Sequence, residues 1–193
     1  MFEQLFKSIG ERVTLNEEEH EICKTFFTPR KLRKRQFLLQ NGDICKVNAF
    51  VEKGIMRSFT VDEKGNEHII QFAAEGWWIS DLYSFLTGEI STYNIEALEN
   101  CELLLLSRTA SEELLSTVPK FESYQRILLQ GAYIAMQRRI TSSLNQTAEE
   151  KYQEILKAYP DIIQRVPQHM VASYLGITPE TLSRIRKQMI LPG

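Results

Sequence analysis

The sequence is poor in the residues that build covalent or metal-held frameworks. Its three cysteines, Cys23, Cys45 and Cys101, are odd in number, far apart and without a CxxC pair. That pattern argues against a disulfide scaffold or a zinc site and fits a reducing compartment. Only three histidines are present, His20, His68 and His169, and they are scattered. A cupin-type metalloenzyme, the competing enzyme reading for a β-roll, needs His and carboxylate ligands clustered on neighbouring strands. No apolar run approaches the roughly 20 residues needed to span a bilayer. The N-terminus, MFEQLFKSIGERV, lacks the apolar stretch and cleavage site of a secretory signal, so the expectation is a cytoplasmic protein with no membrane partner. Internal repeats, low-complexity tracts and glycine-rich linkers are missing too. A formal charge of −2 excludes a surface that coats nucleic acid along its whole length, while leaving room for one local basic face.

What is present divides by period. From Met1 to about Phe27 the apolar residues recur at helical spacing, and Thr14 followed by Glu17 reads as a capping box opening a second helix. From Arg30 to about Ser107 the pattern is strands. Glycines at 42, 54, 65, 76 and 88 fall every 11 or 12 residues, the turn spacing of a sandwich or barrel. Strand-like runs include Gln36-Phe37-Leu38-Leu39, residues 49–52, 55–60 and 68–72, and Leu103 to Leu106, with a hairpin turn at Glu63-Lys64-Gly65-Asn66. One segment breaks the pattern: Trp77 to Leu86 reads as a short helix between strands, ended by Thr87-Gly88.

Helical period returns at Ser111. After Pro119 a long helix runs to about Gln146. Tyr124, Ile127, Leu128, Gly131, Ile134, Ala135 and Arg138 lie near heptad spacing, and the small residues at 131 and 135 would let a partner helix approach. The reading is a dimerisation helix. A further helix covers residues 148–158, with Tyr152, Ile155 and Leu156 inward, and Tyr159-Pro160-Asp161 ends it.

The tail carries the sharpest signal. In VPQHMVASYLGITPETLSRIRKQ, Met170, Val171, Tyr174 and Leu175 supply one apolar face, and Leu182, Ile185 and Met189 a second, across a Gly-Ile-Thr corner. Thr178 is an N-cap and Pro179 the first helical residue. Glu180, Thr181, Ser183, Arg184 and Lys187 then decorate the open side, with chemistry suited to base edges and phosphates. From Pro160 onward there are four basic and two acidic residues, a mild positive bias.

A β-roll, a long helix and a terminal helix-turn-helix in that order resemble the Crp/Fnr family of bacterial transcription regulators, over nearly the whole chain. The residues that carry the resemblance are Ala172, Leu175-Gly176-Ile177-Thr178 and Glu180-Thr181-Leu182-Ser183-Arg184-Ile185; the short length is similar to Crp-like regulators of Bacteroidetes. The resemblance implies an α+β fold: a cyclic-nucleotide-binding-like jelly roll, or double-stranded β-helix, at 1–118, a dimerisation helix at 119–146 and a winged-helix-like DNA-binding domain at 147–193 whose wing is truncated. It implies a homodimer on an inverted-repeat DNA operator, contact with RNA polymerase, and no catalysis. Glu180, Ser183 and Arg184 fall where the family reads bases. Thr178, Thr181 and Lys187 suit phosphates, Gln168 and His169 sit where the first helix meets the DNA backbone, and Pro179 stands where other members carry arginine.

The family's effector site maps onto Trp78, Ile79, Ser80, Asp81, Leu82, Ser91 and Thr92. Asp81 falls near the ribose-binding glutamate, but Ser91-Thr92-Tyr93-Asn94 has no arginine for the cyclic phosphate. The expectation is no cofactor and no control by cyclic AMP, with an unidentified small effector or a β-roll that has lost sensing. Three dispersed cysteines do not suit an iron–sulfur cluster, and His20 and His68 are isolated as haem ligands. The basic run Arg30, Lys31, Arg33, Lys34, Arg35 reads as a charged strand edge. A nucleotide-binding module with a merely structural tail is the alternative.

Overall fold

The structure, a computed structural model, describes residues 1–190. The truncated wing expected after the last helix falls on residues outside the described ones. The chain divides into two compact units, Met1–Thr60 with Gln71–Gln130, and Val61–Ile70 with Gly131 onward.

The first unit is a β-roll with helices on one face. Strands β1 (Thr28–Leu32), β2 (Phe37–Leu39), β3 (Val47–Lys53), β4 (Met56–Val61), β5 (Glu67–Ala73), β6 (Trp78–Ile79), β7 (Asn94–Ala97) and β8 (Cys101–Ser107) form two four-stranded sheets. Their orders are β1-β8-β3-β6 and β2-β7-β4-β5. The continuous apolar run Leu103 to Leu106 is explained by burial on both faces of β8. Leu103 joins Ala49, Val51, Met56, Ile79 and Ile95 between the sheets. Leu104 and Leu106 join Phe50 in a second core beneath the helices, with Leu5, Ile9, Phe121 and Tyr124. The alternation along β3, Phe50 to one core and Ala49 and Val51 to the other, is the period of two that a pleated strand imposes.

Helix α1 (Glu3–Gly10) has no local side-chain cap. Its first amides are met instead by the Glu52 carboxylate, which accepts from Leu5 N at 2.8 Å and from Gln4 N at 3.3 Å. This satisfies donors a helix start leaves open and places negative charge at the positive end of the dipole. Helix α2 (Glu17–Thr25) does open on a capping box, but Asn16 and Glu19 form it, two residues after the Thr14–Glu17 pair expected from sequence. Asn16 Oδ1 accepts from Glu19 N at 2.8 Å, and the Glu19 carboxylate accepts in return from Asn16 N at 2.7 Å.

The Trp77–Leu86 segment is not one helix. Trp78 and Ile79 pair with β3 as β6, and only Leu82–Thr87 is helical (α3), capped by Asp81 and closed by Gly88 at φ +79°. The ladder bonds available on β3 outweigh helical propensity for the first half of the segment. The basic run lies on and just after β1, an edge strand, where Lys31 pairs with Glu102 at 3.2 Å, as expected of an edge protected by charge. Helix α4 (Arg108–Thr117) leads into the long α5 (Pro119–Asn145).

The second unit holds the distal part of the β4–β5 hairpin, the rest of α5, and helices α6 (Ala148–Ala158), α7 (Pro160–Arg165), α8 (Gln168–Leu175) and α9 (Pro179–Ile190). The helix α7, opened by Pro160 at its first position, follows α6 where the sequence reading placed only a stop. Among the described residues of this unit, Ile69, Tyr152, Ile155, Ile162, Ile163, Val166, Val171, Ala172, Leu182 and Ile185 are the buried apolar ones.

Candidate nucleic-acid interface

The corner between α8 and α9 is built by local chemistry. Gly176 ends α8 at φ +68°, a left-handed conformation that costs a residue with a Cβ, and Ile177 N donates back to Ala172 O at 3.0 Å. Thr178 then caps α9, its Oγ1 accepting from Thr181 N at 3.2 Å. With Leu182 and Ile185 buried beneath, the helical period turns Pro179, Glu180, Ser183, Arg184, Lys187 and Gln188 outward, where they line one shallow depression. The residues expected to read DNA are thus on a single exposed face, with Thr178 at its start; Thr181 is half-buried and engaged with the cap. Glu180 is held below the ordinary carboxylate range by its own backbone N–H and by the Thr178 hydroxyl. It therefore presents an ionised acceptor beside the cations of Arg184 and Lys187. On α8, His169 is exposed, whereas Gln168 is half-buried with its Oε1 enclosed and unpartnered.

The expected dimer residues do not share one environment. Tyr124 is fully buried in the first unit, its hydroxyl bonded to Ser8 Oγ and to Trp78 Nε1, both at 3.0 Å. Its place on a partner seam is therefore a misreading: a large aromatic with a polar tip satisfies itself inside its own core. Leu128 packs on the edge of the same core and Ile127 is half-buried, while Gly131, Ile134, Ala135 and Arg138 are exposed. The sequence reading missed the larger apolar stripe. Leu129, Tyr133, Met136, Ile140 and Leu144 are all exposed, Tyr133 at 57% and Leu144 at 78%. At about 100° per residue they form one face of α5, turned away from Gly131 and Ala135.

The effector residues are brought together only in part. Ser91 Oγ donates to Asp81 Oδ2 at 2.7 Å, and the other Asp81 oxygen accepts from Ser84 N at 3.3 Å. Asp81, Ser84 and Ser91 are all buried. Trp78 points the other way, into the core under the helices, against Phe27 and Phe50. Ile79 is core, Ser80 is half-buried, and Leu82 and Thr92 are exposed. Of the haem candidates, His20 stacks on Phe6 at 4.3 Å and His68 bonds to Asp62 at 3.0 Å. Among the described residues no three His, Cys, Asp or Glu side chains gather as a metal-ligand set. No helix among the described residues is long and apolar enough to cross a membrane.

Sequence comparison defines the class of the roll: residues 29–118 match the cyclic nucleotide-binding domain. Full-length relatives are similar to most of the chain. The fumarate and nitrate reduction regulatory protein of Vibrio cholerae is 26% identical over 186 residues, covering 89% of this chain and 73% of that protein. The anaerobic regulatory protein of Haemophilus influenzae is 25% identical over 186 residues, covering 89% and 71%. Residues 29–118 thus carry a cyclic nucleotide-binding domain, and over most of its length the chain is similar to regulatory proteins of the fumarate and nitrate reduction type. In fold it resembles the global regulator CLP of Xanthomonas campestris, with a TM-score of 0.73 at 14% identity over 91% of this chain and 92% of that one. It also resembles FixK2 of Bradyrhizobium japonicum, with a TM-score of 0.69 at 18% identity over 85% and 84%.

Proposed function

We propose that the protein is a dimeric, sequence-specific DNA-binding transcription regulator whose output is the α8–α9 helix-turn-helix. The observation that carries this reading is the single outward face of α9, on which Glu180, Ser183, Arg184 and Lys187 stand over a buried Leu182–Ile185 seam. Arginine can fork onto O6 and N7 of guanine and glutamate can accept from N4 of cytosine, so the face suits a half-site with G·C steps. Lys187 and the α8 start, Gln168 and His169, serve phosphates. A non-enzymatic role follows from this reading.

The dimer is assigned to α5. Its exposed stripe of Leu129, Tyr133, Met136, Ile140 and Leu144 has spacings of four, three, four and four residues, close to the repeat of a two-helix seam. A two-fold pair of α9 helices then addresses two half-sites about one helical turn apart. On such a promoter the same reading has the dimer meet RNA polymerase, which would extend its footprint.

Cyclic AMP is not assigned as the effector. Where an anionic ligand would need a cation and open donors, the Asp81 carboxylate already takes the Ser84 amide and the Ser91 hydroxyl. A phosphate brought there meets a like charge and finds no arginine.

The test is selection from randomised duplexes followed by footprinting at moderate salt. Recovery of an inverted repeat with half-sites about one turn apart supports the reading; the absence of any preferred repeat overturns it.

A further inference from the structure

The β4–β5 hairpin offers an edge that is already taken. β5 is the outer strand of its sheet, so the backbone groups on its free side have no neighbouring strand. Such edges are normally covered or blunted. Ser173, in the middle of the helix-turn-helix, covers this one. Its Oγ accepts from Ile69 N at 3.0 Å and donates to Glu67 O at 2.8 Å. Groups two residues apart on a strand point to the same side, so one hydroxyl occupies both a donor and an acceptor of the edge.

Arg139, on α5, completes the contact. Its guanidinium donates to the carbonyls of Ile69 and Ile70 and to Tyr174 O, and lies over the Tyr174 ring at 4.2 Å from the centroid. A planar fork with several donors and an aromatic partner is a geometry lysine cannot reproduce. Residues 61–70, 139 and 173–174 all belong to the second unit. The open face of α9 is not consumed by these bonds: Glu180, Ser183, Arg184 and Lys187 remain exposed while they are made.

We propose that residues 61–70 are a strap that fixes the pose of the recognition helix, with Ser173 and Arg139 as its positioning residues. A displacement of the hairpin is passed through Ser173 and Tyr174 to the end of α8, across the Gly176 turn, and so to α9. The inference rests on the DNA-binding reading. Two half-sites at fixed separation demand a fixed helix pose, because the second engagement is effectively intramolecular and is lost when geometry drifts. One half-site makes no such demand.

The experiment uses the full chain as wild type, Ser173→Ala, Ser173→Thr and Arg139→Lys. Amide exchange at Ile69 and affinities for the inverted repeat and for a single half-site are measured side by side. Ser173→Ala is expected to speed Ile69 exchange at least tenfold while Ser173→Thr, which keeps the hydroxyl, restores protection. Ser173→Ala and Arg139→Lys are expected to weaken binding to the inverted repeat about tenfold and to the half-site much less, the scale of one or two lost hydrogen bonds. Unchanged Ile69 exchange in Ser173→Ala, or an equal loss on both DNAs, overturns the strap. Failure of the wild type on both DNAs sinks the DNA-binding reading instead, and the exchange result then decides the strap alone.

Discussion

The Ser91 hydroxyl donates to the Asp81 carboxylate at 2.7 Å, and both side chains are buried in the β-roll. A carboxylate that caps α3 and binds Ser91 is a structural anion where the family resemblance places a ribose-binding glutamate, and Ser91 opens the stretch where that resemblance places the arginine for a cyclic phosphate. Calorimetric titration with cyclic AMP and cyclic GMP is expected to show no binding near micromolar concentrations. Saturable heat at that level would contradict the assignment.

The same pair makes Asp81 a stability residue. Asp81→Ala removes the α3 cap and leaves the Ser91 hydroxyl only its longer bond to Tyr93 O at 3.4 Å, a loss of about 1–3 kcal/mol. Chemical denaturation should show the midpoint falling while its slope is kept. An unchanged midpoint would mean that the bond contributes nothing.

Gly176 stands at φ +68° with open space where a Cβ would go, so substitution there is penalised by backbone strain alone. Gly176→Ala should cost about 1–2 kcal/mol, and Gly176→Asn less, because asparagine tolerates the left-handed region better. Thermal unfolding of the two variants against wild type measures the order.

The apolar stripe on α5 should hold the dimer. Replacing Tyr133 and Met136 together by glutamate puts like charges on an exposed apolar face that is otherwise suited to a partner helix. Sedimentation is expected to change from dimer to monomer, with the far-ultraviolet spectrum preserved. The corresponding change at Gly131, Gly131→Glu, should disturb association less, since it lies away from the stripe. A dimer that survives the double change assigns the seam elsewhere.

The cysteines are expected to be inert. Cys23, Cys45 and Cys101 are buried, and burial pushes Cys23 and Cys101 up to about 11 and raises Cys45 as well. At pH 8 the thiolate, the reactive form, is therefore scarce. A thiol reagent should label the native protein far more slowly than the unfolded chain; rapid labelling of any one would contradict its burial.

The helix-turn-helix was legible because its determinants are local. Gly176, Thr178 and Pro179 set a turn, a cap and a first helical φ within four residues, and the apolar spacing did the rest. The glycine rhythm marked the roll for a similar reason. What escaped depended on partners distant in sequence. Trp78 and Ile79 form a strand only because β3 offers them a ladder. Tyr124 is buried because Ser8 and Trp78 meet its hydroxyl. Ser173 reaches a strand 104 residues away, and nothing in the pattern of α8 distinguishes it from a solvated serine. Arg139 gives no sign of its contacts in the sequence, because a charged residue on a long helix ordinarily faces water.

The central claim is tested most directly at Arg184. Operator affinity of Arg184→Ala should be measured at one salt concentration on the selected inverted repeat and on versions changed at each base pair. A loss of about 1–3 kcal/mol in specific binding and relaxed preference at one position in each half-site are the expected result. Unchanged affinity, or a uniform loss with every base preference retained, would contradict α9 as the surface that reads sequence.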